Sequence, residues 1–155
     1  MEIFYICLFS IFRYLKNKVN DFKIKVKTND KEIERIQRIK GHVKKLKENR
    51  NKEYNVFLLN KIIRFCKQNN YKLIFITSPF KREYNDYFSK ELLENNFYKI
   101  IYDIINNEDV LYFDFSHDYK NFDEGRYFDD DDHLFFEGSK KFIKILEEKL
   151  KINLV

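Results

Sequence analysis

The residues best suited to chemistry lie close together near the C-terminal end, in Tyr127-Phe128-Asp129-Asp130-Asp131-Asp132-His133-Leu134. Asp130 stands three residues before His133. On a turn, a carboxylate at that offset reaches the imidazole Nδ1, fixes the ring tautomer and stabilises the imidazolium, as a general base requires. The same residues allow two other readings. Four consecutive aspartates put a carboxylate at almost any offset, and an acidic run ahead of a helix complements the helix dipole with His133 incidental. Carboxylate oxygens also suit Ca²⁺ or Mg²⁺, although the run lacks the alternating spacing and central glycine of an EF-hand loop. Asp114 and His117 could complete a site, Asp114 also reading as a cap at a strand end. His42, in a charged helix, reads as surface.

Glycine usage narrows the chemistry further. Gly41, Gly125 and Gly138 are the only glycines, no two within a dozen residues. No GxGxxG or GxxxxGK[ST] phosphate loop and no GxSxG nucleophile elbow is therefore present. No cofactor motif and no metal motif is found.

These residues must be carried by a folded scaffold. At 155 residues with 44% hydrophobic and 18% aromatic content, the chain has enough apolar surface for a core, which excludes disorder. Apolar residues at three- and four-residue spacing predict helices over 31–48 (Ile33, Ile36, Ile39, Val43, Leu46) and 54–68 (Val56, Leu59, Ile63, Cys66, with Leu58, Ile62 and Phe65 beside them). The second, apolar over a wide arc, is expected to be largely buried. Asn49-Arg50-Asn51-Lys52 breaks the first from the second, and Gln68-Asn69-Asn70 forms a turn.

Lys72-Leu73-Ile74-Phe75-Ile76-Thr77-Ser78-Pro79 reads as a strand covered on both faces, as parallel strands are. Helical spacing returns over 82–106, in two pieces broken near Asn95-Asn96 and closed by Asn106-Asn107. A second strand follows at Val110–Phe115, then an acidic loop from Ser116 to Asp132, then a helix over Glu137–Lys149 packing through Phe142, Ile145, Leu146 and Leu150. Alternating helices and strands predict a parallel α/β sheet, with a third strand among Phe4–Phe12 or Phe22–Val26. In open α/β sheets ligands bind beyond the carboxyl ends of the strands, where Thr77-Ser78-Pro79-Phe80 and the stretch from Asp114 to His133 lie.

Charge divides the chain. Residues 1–72 carry 19 Lys/Arg against 7 Asp/Glu, and the remainder carries 11 against 18, for a net charge of +5. A basic half attracts nucleic acid or an anionic membrane surface, or simply solvates its own helices. The organisation expected is a basic helical segment over 1–53 and an α/β domain over 54–155. Cys7 and Cys66 match no CxxC pattern and read as reduced thiols of a non-oxidising compartment. The apolar start, Met1–Phe12, is interrupted by Arg13 and Lys16 well short of the about 20 residues that span a membrane. It also lacks the leading positive charge of a signal peptide, so a cytoplasmic location is expected. It reads as a packed segment or an interfacial anchor.

Phe128-Asp129-Asp130-Asp131-Asp132-His133-Leu134-Phe135-Phe136-Glu137-Gly138-Ser139-Lys140-Lys141-Phe142 resembles the final block of the SGNH/GDSL hydrolase superfamily, an aromatic followed by D-x-x-H-L and a small Gly-Ser pair before the last helix. The superfamily includes relatives in cell-surface polysaccharide and alginate O-acetylation. Leu73–Pro79 is similar to the strand ending in x-x-P that precedes this block. The resemblance covers roughly residues 54–150. It implies a partial three-layer, flavodoxin-like parallel sheet flanked by helices, with N-terminal strands missing. It places the catalytic histidine on His133 and its acid partner on Asp130, in an esterase or O-acyltransferase acting on an acylated saccharide. No Gly-Asp-Ser and no Gly-x-Asn-Asp occurs in the chain, and Phe135 replaces the Asn usual after His-Leu. The serine nucleophile block is thus absent, which implies a truncated, split or degenerate protein that is inactive alone, with the missing half as a partner chain.

Overall fold

A computed structural model describes residues 3–7, 28–106, 108, 110–123 and 125–153. The candidate strand at Phe22–Val26, Asn107 and the apolar residues 8–12 lie outside the described residues. Three strands, β1 (Ile3–Cys7), β2 (Lys72–Thr77) and β3 (Leu111–Asp114), form one sheet in the order β1-β2-β3, with both pairings parallel. Ile3 pairs with Lys72 and Cys7 with Ile76; across the other edge of β2, Ile74 pairs with Leu111 and Thr77 with Asp114. The third strand thus lies in the first of the two expected segments. The helices are α1 (Thr28–Glu48), α2 (Lys52–Gln68), α3 (Arg82–Asn85), α4 (Lys90–Leu93), α5 (Lys99–Ile105) and α6 (Phe136–Asn153). The fold is α/β with a small parallel sheet. Among the described residues no helix is long and apolar enough to cross a membrane.

The chain divides into two compact units, residues 1–77 with 87–114, and residues 78–86 with 115–155. In the first, β2 is the centre. Leu73, Ile74, Phe75 and Ile76 are all buried, so the strand is covered on both faces, and each side chain contributes roughly 1.5–3 kcal/mol by leaving water. Leu73 and Phe75 pack with Leu59, Ile63 and Cys66 of α2 and with Ile100, Ile101 and Ile104 of α5. Cys66 is a free thiol inside this cluster.

α2 ends where its asparagines predict, and for a specific reason. Asn70 takes a left-handed backbone (φ 57°), which Asn tolerates better than most residues. The Tyr71 amide then donates to the Cys66 carbonyl at 2.8 Å and the Asn70 amide to Lys67 at 3.2 Å. This pair of bonds satisfies carbonyls that the helix end leaves over. Asn49 (φ 43°) makes the equivalent break between α1 and α2.

Two expectations need correction. α2 is not largely buried: Tyr54, Phe57 and Phe65 stand exposed on its outer face. Nor does the helical stretch over 82–106 break at Asn95-Asn96. It breaks over 86–89, where the Ser89 hydroxyl accepts the Leu92 amide and starts α4. Asn95 and Asn96 sit inside a π-helical turn, Glu94–Tyr98, that continues into α5. That wider turn presents Asn96 to α1, where its Nδ2 donates to the Leu46 carbonyl at 2.9 Å and so caps a helix end.

The second unit is built on aromatics. Phe122, Tyr127 and Phe128 are buried together, with Leu134 and with Phe142 and Ile145 of α6 packed against them. Phe122 meets the rings of Tyr127, Phe128 and Phe142 at 5.9–6.5 Å, all close to edge-on, the arrangement that ring quadrupoles favour.

Candidate functional site

His133 and Asp130 both belong to the second unit, on a narrow loop closed from both ends. Phe128 and Leu134 form an antiparallel bridge. The Asp129 amide donates to the His133 carbonyl at 3.0 Å, and the Phe135 amide to the Tyr127 carbonyl at 2.8 Å. Only Asp130, Asp131 and Asp132 are left to turn the chain. A third bond fixes the turn from outside, the Lys81 amide donating to the Asp131 carbonyl at 3.0 Å.

Within this loop a single oxygen organises the pair. Asp130 Oδ1 accepts from the Asp132 amide at 3.0 Å, from the His133 amide at 2.9 Å and from His133 Nδ1 at 2.7 Å. An ionised carboxylate only accepts, so Nδ1 carries the proton and Nε2 presents its lone pair. The two backbone bonds hold the carboxylate in place whether or not the imidazole is charged. The His133 side chain is 41% exposed and that of Asp130 is 36% exposed, so the ring is fixed on one side and open to solvent on the other. The three-residue spacing thus brings together the two residues it singled out.

Asp132 adds a second carboxylate, its Oδ1 3.7 Å from the same Nδ1, with its side chain only 3% exposed. Asp130, Asp132 and His133 therefore offer ligand-type atoms within 4.8 Å of one another. Of these atoms, Asp130 Oδ1 is already engaged by three donors and His133 Nδ1 by Asp130. The four aspartates precede α6, whose first turn carries Glu137. The Asp130 carboxylate, however, serves the turn and the imidazole.

The other residues singled out by sequence do not join this group. Asp114 ends β3 in the first unit and accepts the Tyr98 hydroxyl at 2.7 Å. His117 lies in the second unit, its Nδ1 2.8 Å from the Ser116 hydroxyl and its ring 5.7 Å from that of Tyr119. His42 sits half-buried on α1.

Three further features belong to this unit. Asn85 is buried, and its Nδ2 donates to both the Ser116 carbonyl (2.8 Å) and the Tyr119 hydroxyl (2.7 Å), tying α3 to the loop after β3. Beside it, a cleft of about 270 Å³ is lined by Lys81, Arg82, Glu83, Tyr119, Asp123 and Phe128, among others. The Arg82 guanidinium lies 4.1 Å from the Tyr119 ring centre. Gly138, in the first turn of α6, lets that helix pass directly over the Tyr127 carbonyl group. Only the last had a signal in the sequence, as the small residue of the Gly-Ser pair.

No curated protein and no solved structure matches the chain. Residues 15–139, a stretch that includes Asp130, His133 and Gly138, match the family described as DltD protein, and the chain belongs to the DltD family.

Proposed function

We propose that the chain carries the base half of an acyl-transfer site, with His133 as the general base and Asp130 as the carboxylate that orients it. The observation that supports this reading most is the 2.7 Å bond from Nδ1 to an oxygen that two backbone amides already hold. In this reading Nε2 takes a proton from an attacking hydroxyl as that oxygen bonds to the acyl carbon. The imidazolium, stabilised by Asp130, then returns the proton to the departing alkoxide.

The DltD family is related to SGNH-hydrolase-like proteins, the group whose final block the stretch from Phe128 to Phe142 resembles. Its association with D-alanyl-lipoteichoic acid biosynthesis favours an ester carried on a teichoic-acid polymer or a similar acylated saccharide. The 155 residues contain no Gly-Asp-Ser, so the pair has no assigned hydroxyl to deprotonate. The nucleophile comes from outside this sequence, and the chain on its own does not turn over esters.

The test is ester hydrolysis with p-nitrophenyl acetate, first with the chain alone and then with the Gly-Asp-Ser-bearing segment of an SGNH hydrolase added. No turnover is expected alone. With the segment, turnover is expected to appear and to fall by roughly 10³-fold or more in His133→Ala. Turnover that survives His133→Ala at full rate removes the reading.

A further inference from the structure

α2 turns one apolar side to the core and leaves another in solvent. Leu59, Ile63 and Cys66 pack with β2 and α5. On the outer side Tyr54 is 53% exposed, Phe57 50% and Phe65 53%. Residues 54, 58, 62 and 65 follow one side of the helix at four- and three-residue steps, so the half-buried Leu58 and Ile62 join Tyr54 to Phe65. That strip runs for roughly 16 Å along the helix. The Tyr54 and Phe57 rings are 6.5 Å apart, and the Phe65 ring is 6.2 Å from that of Tyr71. Apolar side chains scattered singly on a surface mean little, but a contiguous strip is a patch.

The charges around this patch have one dominant sign. α2 exposes Lys52, Lys61, Arg64 and Lys67 against Glu53. Glu108 pairs with Lys67, which leaves a net charge of +2. The end of α1 and the turn into α2 add Lys44, Lys45, Lys47 and Arg50, all exposed, against Glu48, and raise the excess to +5. α5, beside α2 in the same core cluster, shows Lys99 and Asp103 to solvent, one of each sign, so it does not cancel that excess. Aromatic rings bordered by cations suit single-stranded nucleic acid or an anionic bilayer interface. Two details decide between them. The Lys61 ammonium sits 4.6 Å from the centre of the Phe57 ring and Phe65 leans on Tyr71, so neither ring stands clear as a platform for a base. Leu58 and Ile62 also give the strip an aliphatic middle, which acyl chains match and nucleotides do not.

We infer that the face of α2 formed by Tyr54, Phe57, Lys61, Arg64 and Phe65 docks on an anionic lipid surface. The rings reach the edge of the acyl chains, and the long Lys61 and Arg64 side chains carry their charges back to the headgroups. Such docking involves the first unit alone and does not depend on the role proposed for His133.

The experiment is sedimentation of the full chain with phosphatidylcholine vesicles made with and without phosphatidylglycerol. Binding is expected only where phosphatidylglycerol is present, and it should weaken with added salt. Tyr54→Ala with Phe57→Ala, and separately Lys61→Glu with Arg64→Glu, should each lower partitioning on the order of tenfold or more. All four side chains are exposed, and alanine and glutamate both sustain a helix. Circular dichroism melts close to that of the parent are therefore expected and check that both variants fold. Failure to bind anionic vesicles overturns the inference, as does binding that either variant retains in full. So does tighter binding to an oligothymidylate that the same variants abolish, which would assign the face to single-stranded nucleic acid.

Discussion

Gly138 and Tyr127 are in closer contact than any other residue type at 138 would permit: a β-carbon built there falls 2.9 Å from the Tyr127 carbonyl carbon and closer still to its oxygen. The neighbour is backbone, and that same carbonyl accepts the Phe135 amide that closes the His133 loop. It cannot move aside without opening the loop. Gly138→Ala should therefore destabilise the chain by roughly 2–4 kcal/mol in urea unfolding, the scale of a forced overpacking against fixed atoms. Gly41 gives the opposite case. It lies within α1, has no positive φ, and a β-carbon there meets nothing within 4 Å. Gly41→Ala should stabilise by about 0.5–1 kcal/mol, because alanine loses less backbone entropy in a helix.

Asp130 has two tasks, and two substitutions separate them. Its Oδ1 ties down the amides of residues 132 and 133 and also orients the imidazole. Asp130→Ala removes all three acceptor contacts and should cost about 1–3 kcal/mol of stability, with the loop amides left to water. Asp130→Asn keeps an oxygen for the amides and should cost less than half as much. It removes the negative charge that favours the imidazolium. In the reconstituted esterase assay the Asn variant should therefore lose nearly as much rate as the Ala variant. Two equally destabilised variants would show that the backbone bonds contribute little.

What the sequence made legible follows from what side-chain type encodes. A continuous run such as Leu73-Ile74-Phe75-Ile76 admits only burial on both faces, and the structure buries all four. Asn70 signalled the end of α2 because few residues tolerate its backbone. The Asp130–His133 pair was readable because three residues on a turn bring the side chains together with no help from the rest of the fold. The breaks lie where distant backbone decides. Nothing in Lys81 as a residue type says that its amide meets the Asp131 carbonyl, since every non-proline residue has that amide. Asn96 looked like a helix breaker and is instead a cap for a helix about fifty residues earlier. Tyr54, Phe57 and Phe65 fit an apolar arc by type, yet only contact with another element could bury them.

Asn85 illustrates a long-range tie that can be measured. It is 8% exposed, and its one amide nitrogen serves both the Ser116 carbonyl and the Tyr119 hydroxyl. Asn85→Ala leaves the Ser116 carbonyl with the Phe80 amide alone, at 3.3 Å, and should cost about 1 kcal/mol. Asn85→Asp, close in volume, supplies an acceptor opposite a carbonyl and should cost at least as much. An Asp variant as stable as the parent in urea unfolding would mean that the Phe80 amide alone satisfies the Ser116 carbonyl.

The Tyr112 hydroxyl offers a test at alkaline pH. Burial raises its pKa most, the nearby Asp114 carboxylate raises it further, and the hydrogen bond with Thr77, 2.9 Å between oxygens, lowers it only in part. In the folded chain Tyr112 therefore keeps its proton well above the ordinary tyrosine value of about 10, while the unfolded chain releases it there. Above that pH the unfolded state binds fewer protons than the folded one, so stability falls as pH rises. The stabilisation is complete below about pH 10 and is lost beyond it, at up to about 1.4 kcal/mol per pH unit for one such group. Tyr112→Phe gives up the Thr77 bond, which should cost about 1 kcal/mol at neutral pH. It also removes the titration, so between about pH 9 and about pH 11 the variant should lose on the order of 1 kcal/mol less stability than the parent. Urea midpoints at both pH values check this, and parallel losses in the two proteins would show that Tyr112 ionises as freely folded as unfolded.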